Sequence, residues 1–221
     1  MVVSAIQKLV FSNQCVHCSE PYLGKEKILC FLCEEELEKL KVMDQQHIYA
    51  CSAIDQLYSA YYYLKSSPSQ SVIESYKYKG QKRIGKWIAN HLINKVSPGD
   101  YDQILFVPMH RKKKRERGFN QAEEIAIQLS KRMKLSIVEA MERVENISSQ
   151  TKQEKFNRYN RSKTIYGCLS DRLKNNARVL LIDDVLTSGA TLVACAESLK
   201  RDYACHITVL TFAFTPESGE V

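Results

Sequence analysis

Three apolar runs constrain the fold of this chain more than any other feature. Gln103 to Pro108 (QILFVP), Arg178 to Asp183 (RVLLID) and Cys205 to Phe214 (CHITVLTFAF) are apolar almost throughout. A strand covered on both faces reads this way, and in α/β proteins such strands lie parallel, each returned by a helix. The segments between them supply the helices. Ala122, Ile125, Ala126, Leu129 and Met133 recur at helical spacing after the first run, and Leu192 to Arg201 reads as a helix after the second. This alternation predicts an α/β fold with a mostly parallel sheet flanked by helices.

Composition sets the outer bounds. A chain of 221 residues holds one or two domains. With 44% hydrophobic and 26% charged residues it has the balance of a globular protein and is too apolar to be wholly disordered. Its 8 glycines and 5 prolines exclude a collagen-like or linker-dominated chain. The apolar runs are far shorter than the ~20 residues of a membrane-spanning helix. Met1 to Phe11 is mildly apolar, carries Gln7 and Lys8, and has no basic start. It reads as a short packing helix, not as a secretion signal, and the cytoplasm is the expected compartment.

Four of the eight cysteines are spaced as metal ligands. Cys15 and Cys18 form one C-x2-C, Cys30 and Cys33 another, with 11 residues between the pairs. Two residues between thiolates let both point at one centre, as tetrahedral Zn²⁺ requires. Disulfides are the competing reading, and they are rare in a reducing cytoplasm. We expect a structural Zn²⁺ held by Cys15, Cys18, Cys30 and Cys33, with His17 as an alternative ligand. The unit, residues 1–45, is too small to hold a core alone, so the metal supplies its folding energy. Bracing the second domain, residues 46–221, is its expected role, ahead of contacting nucleic acid or protein. Cys51, Cys168, Cys195 and Cys205 read as buried or incidental.

Between these regions the chain alternates less regularly. Glu34 to Lys41 is helix-like, with Leu37 and Leu40 on one face. Ala50 to Leu64 carries Tyr58, Tyr61, Tyr62 and Tyr63 and suggests one or two strands. Their tyrosines read as a sheet face packed on the zinc unit, or alternatively as a stacking platform for bases. Ser66 to Ser69 marks a turn. Ser71 to Lys79 and Lys82 to Val96 read as two helices interrupted at Gly80, the second with a buried stripe of Ile84, Trp87, Ile88 and Leu92 and with His91 at its boundary. Ser97 to Asp100 is a break.

Two segments carry chemistry. The net charge of +7 matters only where it clusters, because clustered cations attract polyanions. The first apolar run leads into Arg111 to Arg117, which holds six basic residues and one acid. A solvated charge run is the ordinary reading, but open α/β sheets bind ligands at this end of their strands. A helix then follows, with Asn120 as cap and Glu123 completing a capping box. The second run ends in Asp183 and Asp184, then Thr187-Ser188-Gly189-Ala190-Thr191. Adjacent carboxylates at a strand tip can hold vicinal hydroxyls or water around Mg²⁺. The turn offers hydroxyls, a glycine for close approach and helix N-terminal amides, which together make a phosphate cradle. It is neither a Walker loop nor a G-x-G-x-x-G loop. An ordinary strand–turn–helix capped by a threonine leaves the paired aspartates unexplained.

These residues carry a resemblance. Ile182 to Thr191 resembles the phosphoribosyl pyrophosphate (PRPP) fingerprint of type I phosphoribosyltransferases, with Thr187-Ser188-Gly189 where that family usually has Thr-Thr-Gly. The whole chain is similar to the ComF family of late-competence, DNA-uptake proteins over roughly residues 10 to 214. The matches are the four cysteines, Lys77-Tyr78-Lys79-Gly80, Val107-Pro108, Arg117-Gly118-Phe119-Asn120-Gln121, Ser149-Gln150-Thr151 and Arg158-Tyr159-Asn160-Arg161, with the PRPP loop last. Tyr166-Gly167-Cys168 departs from the Gly-Ala-Phe more usual there.

The resemblance implies a type I phosphoribosyltransferase-like domain. In it Asp183 and Asp184 are the catalytic pair, binding ribose hydroxyls and orienting Mg²⁺. Thr187, Ser188, Gly189, Ala190 and Thr191 hold the 5′-phosphate. The loop from His110 to Arg117, with Arg111, Arg115 and Arg117, faces the pyrophosphate. Asn146 to Lys163, with Lys152, Lys155, Arg158, Arg161 and Lys163, matches part of a mobile flap or, alternatively, a solvated loop. Two functions follow. One is a competence protein whose PRPP-binding domain binds single-stranded DNA during natural transformation, with a helicase or channel component as partner implied by the family alone. The other is a Mg²⁺-dependent phosphoribosyltransferase of nucleotide metabolism whose acceptor is unknown.

Overall fold

The computed structural model describes residues 13–22, 27–42, 51–79, 82–143, 166–169 and 172–216. The described elements are, in chain order, β1 (Asn13–Gln14), β2 (Pro21–Tyr22), α1 (Phe31–Lys39), β3 (Gln56–Tyr62), α2 (Pro68–Lys79), α3 (Lys82–Leu92), β4 (Gln103–Phe106), α4 (Arg111–Arg117), α5 (Gln121–Met133), β5 (Ser136–Ile137), β6 (Met141–Arg143), β7 (Tyr166–Cys168), β8 (Ala177–Leu186), α6 (Ala190–Asp202) and β9 (Cys205–Phe214). Short 3-10 turns at Ile93–Lys95 and Pro98–Asp100 link α3 to β4.

Five strands form one sheet in the order β3-β9-β8-β4-β5, and each neighbouring pair is parallel. The expected α/β architecture is therefore present. The three apolar runs became β4, β8 and β9, with β9 occupying the expected residues. Val179, Leu180, Leu181 and Ile182 of β8 are fully buried, as are Ile207, Val209, Leu210 and Phe212 of β9, because helices cover both faces. β8 runs past the acidic pair to Leu186, so Asp183 and Asp184 belong to the strand itself.

Among the described residues of the segment from Ala50 to Leu64 there is a single strand, β3, at the sheet edge. Its outer side is occupied: Tyr62 N donates to Leu40 O at 2.7 Å and Val42 N to Ala60 O at 3.1 Å, around an antiparallel bridge between Lys41 and Tyr61. Covering an edge in this way removes a template for unwanted strand pairing. Tyr61 is buried against Phe212, with ring centroids 5.2 Å apart, so this face of β3 is core. Of the expected stripe on α3, Ile84, Trp87, Ile88 and Leu92 are all buried. His91 stacks on Trp87 at 3.9 Å and shares a 2.6 Å hydrogen bond with the Tyr61 hydroxyl. Burial pulls its pKa down, so it is held neutral between two rings.

The cysteine-bearing segment is not a separate bead. Cys15, Tyr22, Ile28, Leu29, Cys33 and Leu37 pack in the same core as Trp87 and Phe212. Polar ties reinforce this: Arg83 Nη1 donates to Asn13 Oδ1 at 2.8 Å, and His17 Nδ1 lies 2.9 Å from Ser71 Oγ. Among the described residues no helix is long and apolar enough to cross a membrane. The expected helix at Met1 to Phe11, the break at Gly80 and the flap segment Asn146 to Lys163 lie outside the described residues.

Candidate functional site

The carboxyl ends of β4 and β8 lie side by side, with Phe106 paired to Ile182 and Val107 N donating to Ile182 O at 3.0 Å. Parallel pairing sends the loops after both strands to one edge of the sheet. There they enclose a cavity of about 290 Å³ whose walls include Asp183, Asp184, Thr187 and Thr191 from the β8 side and Lys113 and Arg117 from the β4 side.

The acidic pair is strongly coupled to its surroundings. Asp184 N donates to Asp183 Oδ1 at 2.8 Å. Burial, and then the Asp184 carboxylate beside it, push the Asp183 carboxyl up to about 8. Asp184 is 7% exposed. Lys77 Nζ lies 3.2 Å from Asp184 Oδ2, close enough for an ion pair but without the angles of a hydrogen bond, so this buried oxygen has no hydrogen-bond partner.

Opposite lies a buried donor in the same condition. Gln121, 1% exposed, accepts a hydrogen bond on Oε1 from Arg117 Nη1 at 3.1 Å. A guanidinium only donates, so the amide oxygen must face Arg117 and the NH2 must face away from it. Gln121 Nε2 is buried without a partner. The backbone at this point is tied down on both sides. Asn120 Oδ1 accepts from Ala122 N at 3.1 Å, capping α5 as expected, while Asn120 Nδ2 donates to Val107 O at 2.9 Å and fastens α5 to the end of β4. Tyr76 Oη donates to Gln121 O at 3.2 Å.

The cationic segment corrects the sequence expectation. Residues 111–117 are a helix, α4, not a loop. His110 accepts from Lys112 N to start it, and Gly118 ends it in the left-handed region with φ 80°, where residues bearing a Cβ are strained. Lys114 forms an ion pair with Glu123 at 2.8 Å, so the Glu123 carboxylate is directed at α4, where a capping box had been expected. Of the three arginines read from sequence, Arg117 lines the acidic cavity. Arg111 lines a neighbouring cavity of about 230 Å³, and Arg115, exposed on α4, lines neither.

The turn after β8 is exposed at Thr187 and Ser188 and enters α6 through Gly189, whose φ of 69° makes it the N-cap. Glycine is needed there because the left-handed conformation disfavours other residues. The first amides of α6 have no partner within the helix, which leaves them for an anion. Thr187 and Thr191 line the cavity, while Ser188, Gly189 and Ala190 shape the bend between them. Tyr166 of β7 also lines the cavity.

Sequence reasoning assigned no role to Lys77, Gln121 or Tyr166. Lys77 and Gln121 stood in matched segments, but nothing local marks either as facing a site: Lys77 meets Asp184 only through tertiary packing, and Gln121 bonds Arg117 nearby but is placed beside the acidic pair by the fold.

A second cluster lies at the cysteines. The Sγ atoms of Cys15, Cys18, Cys30 and Cys33 all fall within 4.8 Å of one another, with Cys18 and Cys30 at 3.7 Å. Zn–S bonds of ~2.3 Å in a tetrahedron give S···S edges of ~3.8 Å, so the four sulfurs fit such an ion. Burial and the three neighbouring thiols push the Cys33 thiol up, so a metal must displace its proton. His17 is turned to Ser71 and is not one of the four.

The cavity therefore offers cations and helix amides for phosphoryl oxygens and carboxylates for hydroxyls. In sequence, no curated protein matches the chain. Similar solved structures include adenine phosphoribosyltransferase from Thermoanaerobacter pseudethanolicus, at 13% identity over 65% of this chain and 84% of that one, TM-score 0.41. Purine phosphoribosyltransferase from Pyrococcus horikoshii is 16% identical over 62% and 76%, TM-score 0.38. Orotate phosphoribosyltransferase from Aeropyrum pernix is 15% identical over 73% and 71%, TM-score 0.38. The family model described as phosphoribosyl transferase domain matches residues 81–221, well over half of the chain and the whole of the β4 and β8 edge, so the chain belongs to the phosphoribosyl transferase domain family.

Proposed function

We propose that the cavity binds PRPP with Mg²⁺ and that the protein acts in DNA uptake, binding single-stranded DNA during natural transformation. One observation carries the first half: a carboxylate pair, with Asp184 buried and Asp183 half-buried, and a hydroxyl-rich helix entry face one cavity that Lys113 and Arg117 also line. Vicinal ribose hydroxyls donate to Asp183 and Asp184. The 5′-phosphate accepts from the turn Thr187 to Thr191. Lys113 and Arg117 approach the pyrophosphate.

Where transfer occurs, the bond from C1′ to pyrophosphate breaks, the sugar gains positive character and the leaving group gains negative charge. Fixed cations in a partly desolvated site stabilise that charge without reorganising. Mg²⁺, when bound, supplies further neutralisation of the pyrophosphate.

Two observations support the DNA half beside the resemblance to ComF proteins. The cationic face of α4 is exposed from Arg111 to Arg115. Tyr78, 78% exposed, lies under the Arg117 guanidinium at 5.9 Å, and an exposed ring beside cations is the arrangement that stacks bases and tracks phosphates. The intact acidic pair favours a second reading, a Mg²⁺-dependent phosphoribosyltransferase of nucleotide metabolism whose acceptor is unknown. The two are compatible. A structural Zn²⁺ at the four cysteines, a unit of residues 1–45 bracing residues 46–221, and a cytoplasmic location, where thiols stay reduced, complete the proposal. A helicase or channel component is a partner on the resemblance alone.

Calorimetric titration of PRPP with Mg²⁺ tests the cavity. Wild type should bind and the double variant D183N/D184N should lose at least an order of magnitude, the scale on which an uncompensated buried polar contact is felt. Equal binding by both proteins removes the assignment. For DNA, replacing Lys112, Lys113 and Lys114 together by Ala should weaken an oligonucleotide and flatten its salt dependence between about 50 and 200 mM. Unchanged affinity takes α4 out of the DNA surface.

A further inference from the structure

Lys77 reaches the acidic pair from outside the stretch that the family model matches, residues 81–221. Its position is not that of a loose surface side chain. It projects from α2, which is anchored by the fully buried Val72, Ile73 and Tyr76. Tyr76 passes so close to Gly85 that a Cβ there would sit 2.5 Å from its hydroxyl oxygen, and that hydroxyl reaches Gln121 O. The Lys77 side chain is 21% exposed and that of Asp184 10%, so their contact is partly desolvated.

The state of Asp184 Oδ2 is unusual. Its charge has a partner 3.2 Å away in Lys77, yet the buried atom has no hydrogen bond. A group that is charge-compensated but short of a donor prefers a neutral donor. A hydroxyl meets that need and adds no charge. A free divalent cation would have to share the same oxygen with a fixed ammonium, and like charges a few ångströms apart repel strongly at this degree of burial. Across the cavity Gln121 Nε2 presents the complementary deficit, a donor without an acceptor.

We propose that Lys77 is a resident counter-cation of the Asp183–Asp184 pair, which selects against free divalent cations and for the hydroxyls of a sugar phosphate that brings its metal with it. The proposal deepens the reading of the cavity as a PRPP site and rests on it. Lys77 is thereby a specificity-determining residue that the N-terminal part of the chain contributes to the site.

Mn²⁺ binding to the zinc-loaded full chain without PRPP, followed by electron paramagnetic resonance of the free ion, reads this directly. Lys77→Met should bind Mn²⁺ about tenfold tighter than wild type or better, Lys77→Arg should behave as wild type, and Lys77→Met/Asp184→Asn should lose the gain. Lys77→Gln carries the same test if the methionine variant fails to fold, judged by Trp87 fluorescence. The proposal is overturned if the charge-removing variant binds Mn²⁺ no tighter than wild type, or if the gain survives Asp184→Asn. PRPP titration in the presence of Mg²⁺ separates the two readings: wild type that does not bind PRPP removes the cavity assignment whatever Mn²⁺ does, while wild type that binds PRPP with no Mn²⁺ gain in Lys77→Met removes only the role of Lys77.

Discussion

Asp183 illustrates how much a single side chain is asked to tolerate. Its carboxyl moves from an ordinary value of 3.8 to about 8, through burial first and the Asp184 charge second. Between those values the folded protein holds a proton that the unfolded chain has released. Wild-type stability therefore falls as pH rises through this window, and the penalty is complete above the folded value. Asp183→Asn carries no such penalty. It should melt with wild type near pH 4 and at least ~2 °C higher at pH 8, with a gap that widens steadily between. Parallel melting curves for the two proteins from pH 5 to pH 8 would remove the shift. PRPP binding should move the opposite way in wild type, strengthening as pH rises and the pair ionises. Gly85 is sensitive for a different reason. Gly85→Ala puts a methyl group against the Tyr76 hydroxyl, and overpacking of this kind costs ~1–3 kcal/mol. Chemical denaturation should show that loss, and Tyr76→Phe in the same background should restore part of it, because the phenylalanine ring lacks the clashing oxygen.

At the scale of an element, α4 depends on its two ends more than on its sequence. It has seven residues, six of them cationic, and isolated helices of that length are marginal in water. The His110 side chain starts it and the left-handed Gly118 closes it. Nothing lies within 4 Å of a Cβ added at Gly118, so Gly118→Ala is a test of backbone strain alone, at ~1–2 kcal/mol. The strain should fray the last turn and release Arg117 from Gln121. We expect PRPP affinity to fall several-fold while the melting temperature changes by only a few degrees. Unaltered affinity would mean that Arg117 does not depend on the end of α4. The helix α6 is built differently: Gly189 sets the entry angle and buried Leu192, Cys195, Ala196 and Leu199 hold the rest against the sheet.

Over the whole molecule, the cysteine segment and the α/β sheet share one core, so metal loss should be felt far from the metal. Cys15 and Cys33 are nearly buried beside Ile28, Leu29 and Leu37, in the same cluster as Trp87. Freshly prepared protein should carry about one zinc, by the four-thiolate stoichiometry of such sites. Removing it with a strong chelator should lower the melting temperature by well over ~5 °C and shift Trp87 emission, because binding free energy at such a site is folding free energy. A zinc-to-protein ratio near zero in material never exposed to chelator would reject the four-thiolate site. The polar ties Arg83–Asn13 and His17–Ser71 make the same connection at the surface.

Much of this architecture was legible in the chain because its cause is local. Continuous apolar runs marked β4, β8 and β9, since a strand buried on both faces has no polar register to reveal. The 3.6-residue stripe marked α3. Asp183, Asp184 and the turn to Thr191 are contiguous, so their chemistry reads in one line. Where cause is not local, the sequence misled or was silent. A run of cations with no apolar stripe reads as a loop, whereas its two ends and the ion pair with Glu123 hold it as a helix. Glu123 reads as a capping residue until α4 brings Lys114 within reach. Lys77 on Asp184, Tyr76 on Gln121 and Tyr61 on His91 join residues far apart along the chain. Which distant side chains meet depends on how helices cross the sheet, and that is set by the packing of the whole core. The three central strands and the hydroxyl-rich turn were determined by the sequence alone, because their cause is contiguous, whereas the approach of Lys77 to Asp184 and the unpartnered buried atoms of Gln121 and Asp184 were decided only when the chain had folded around them.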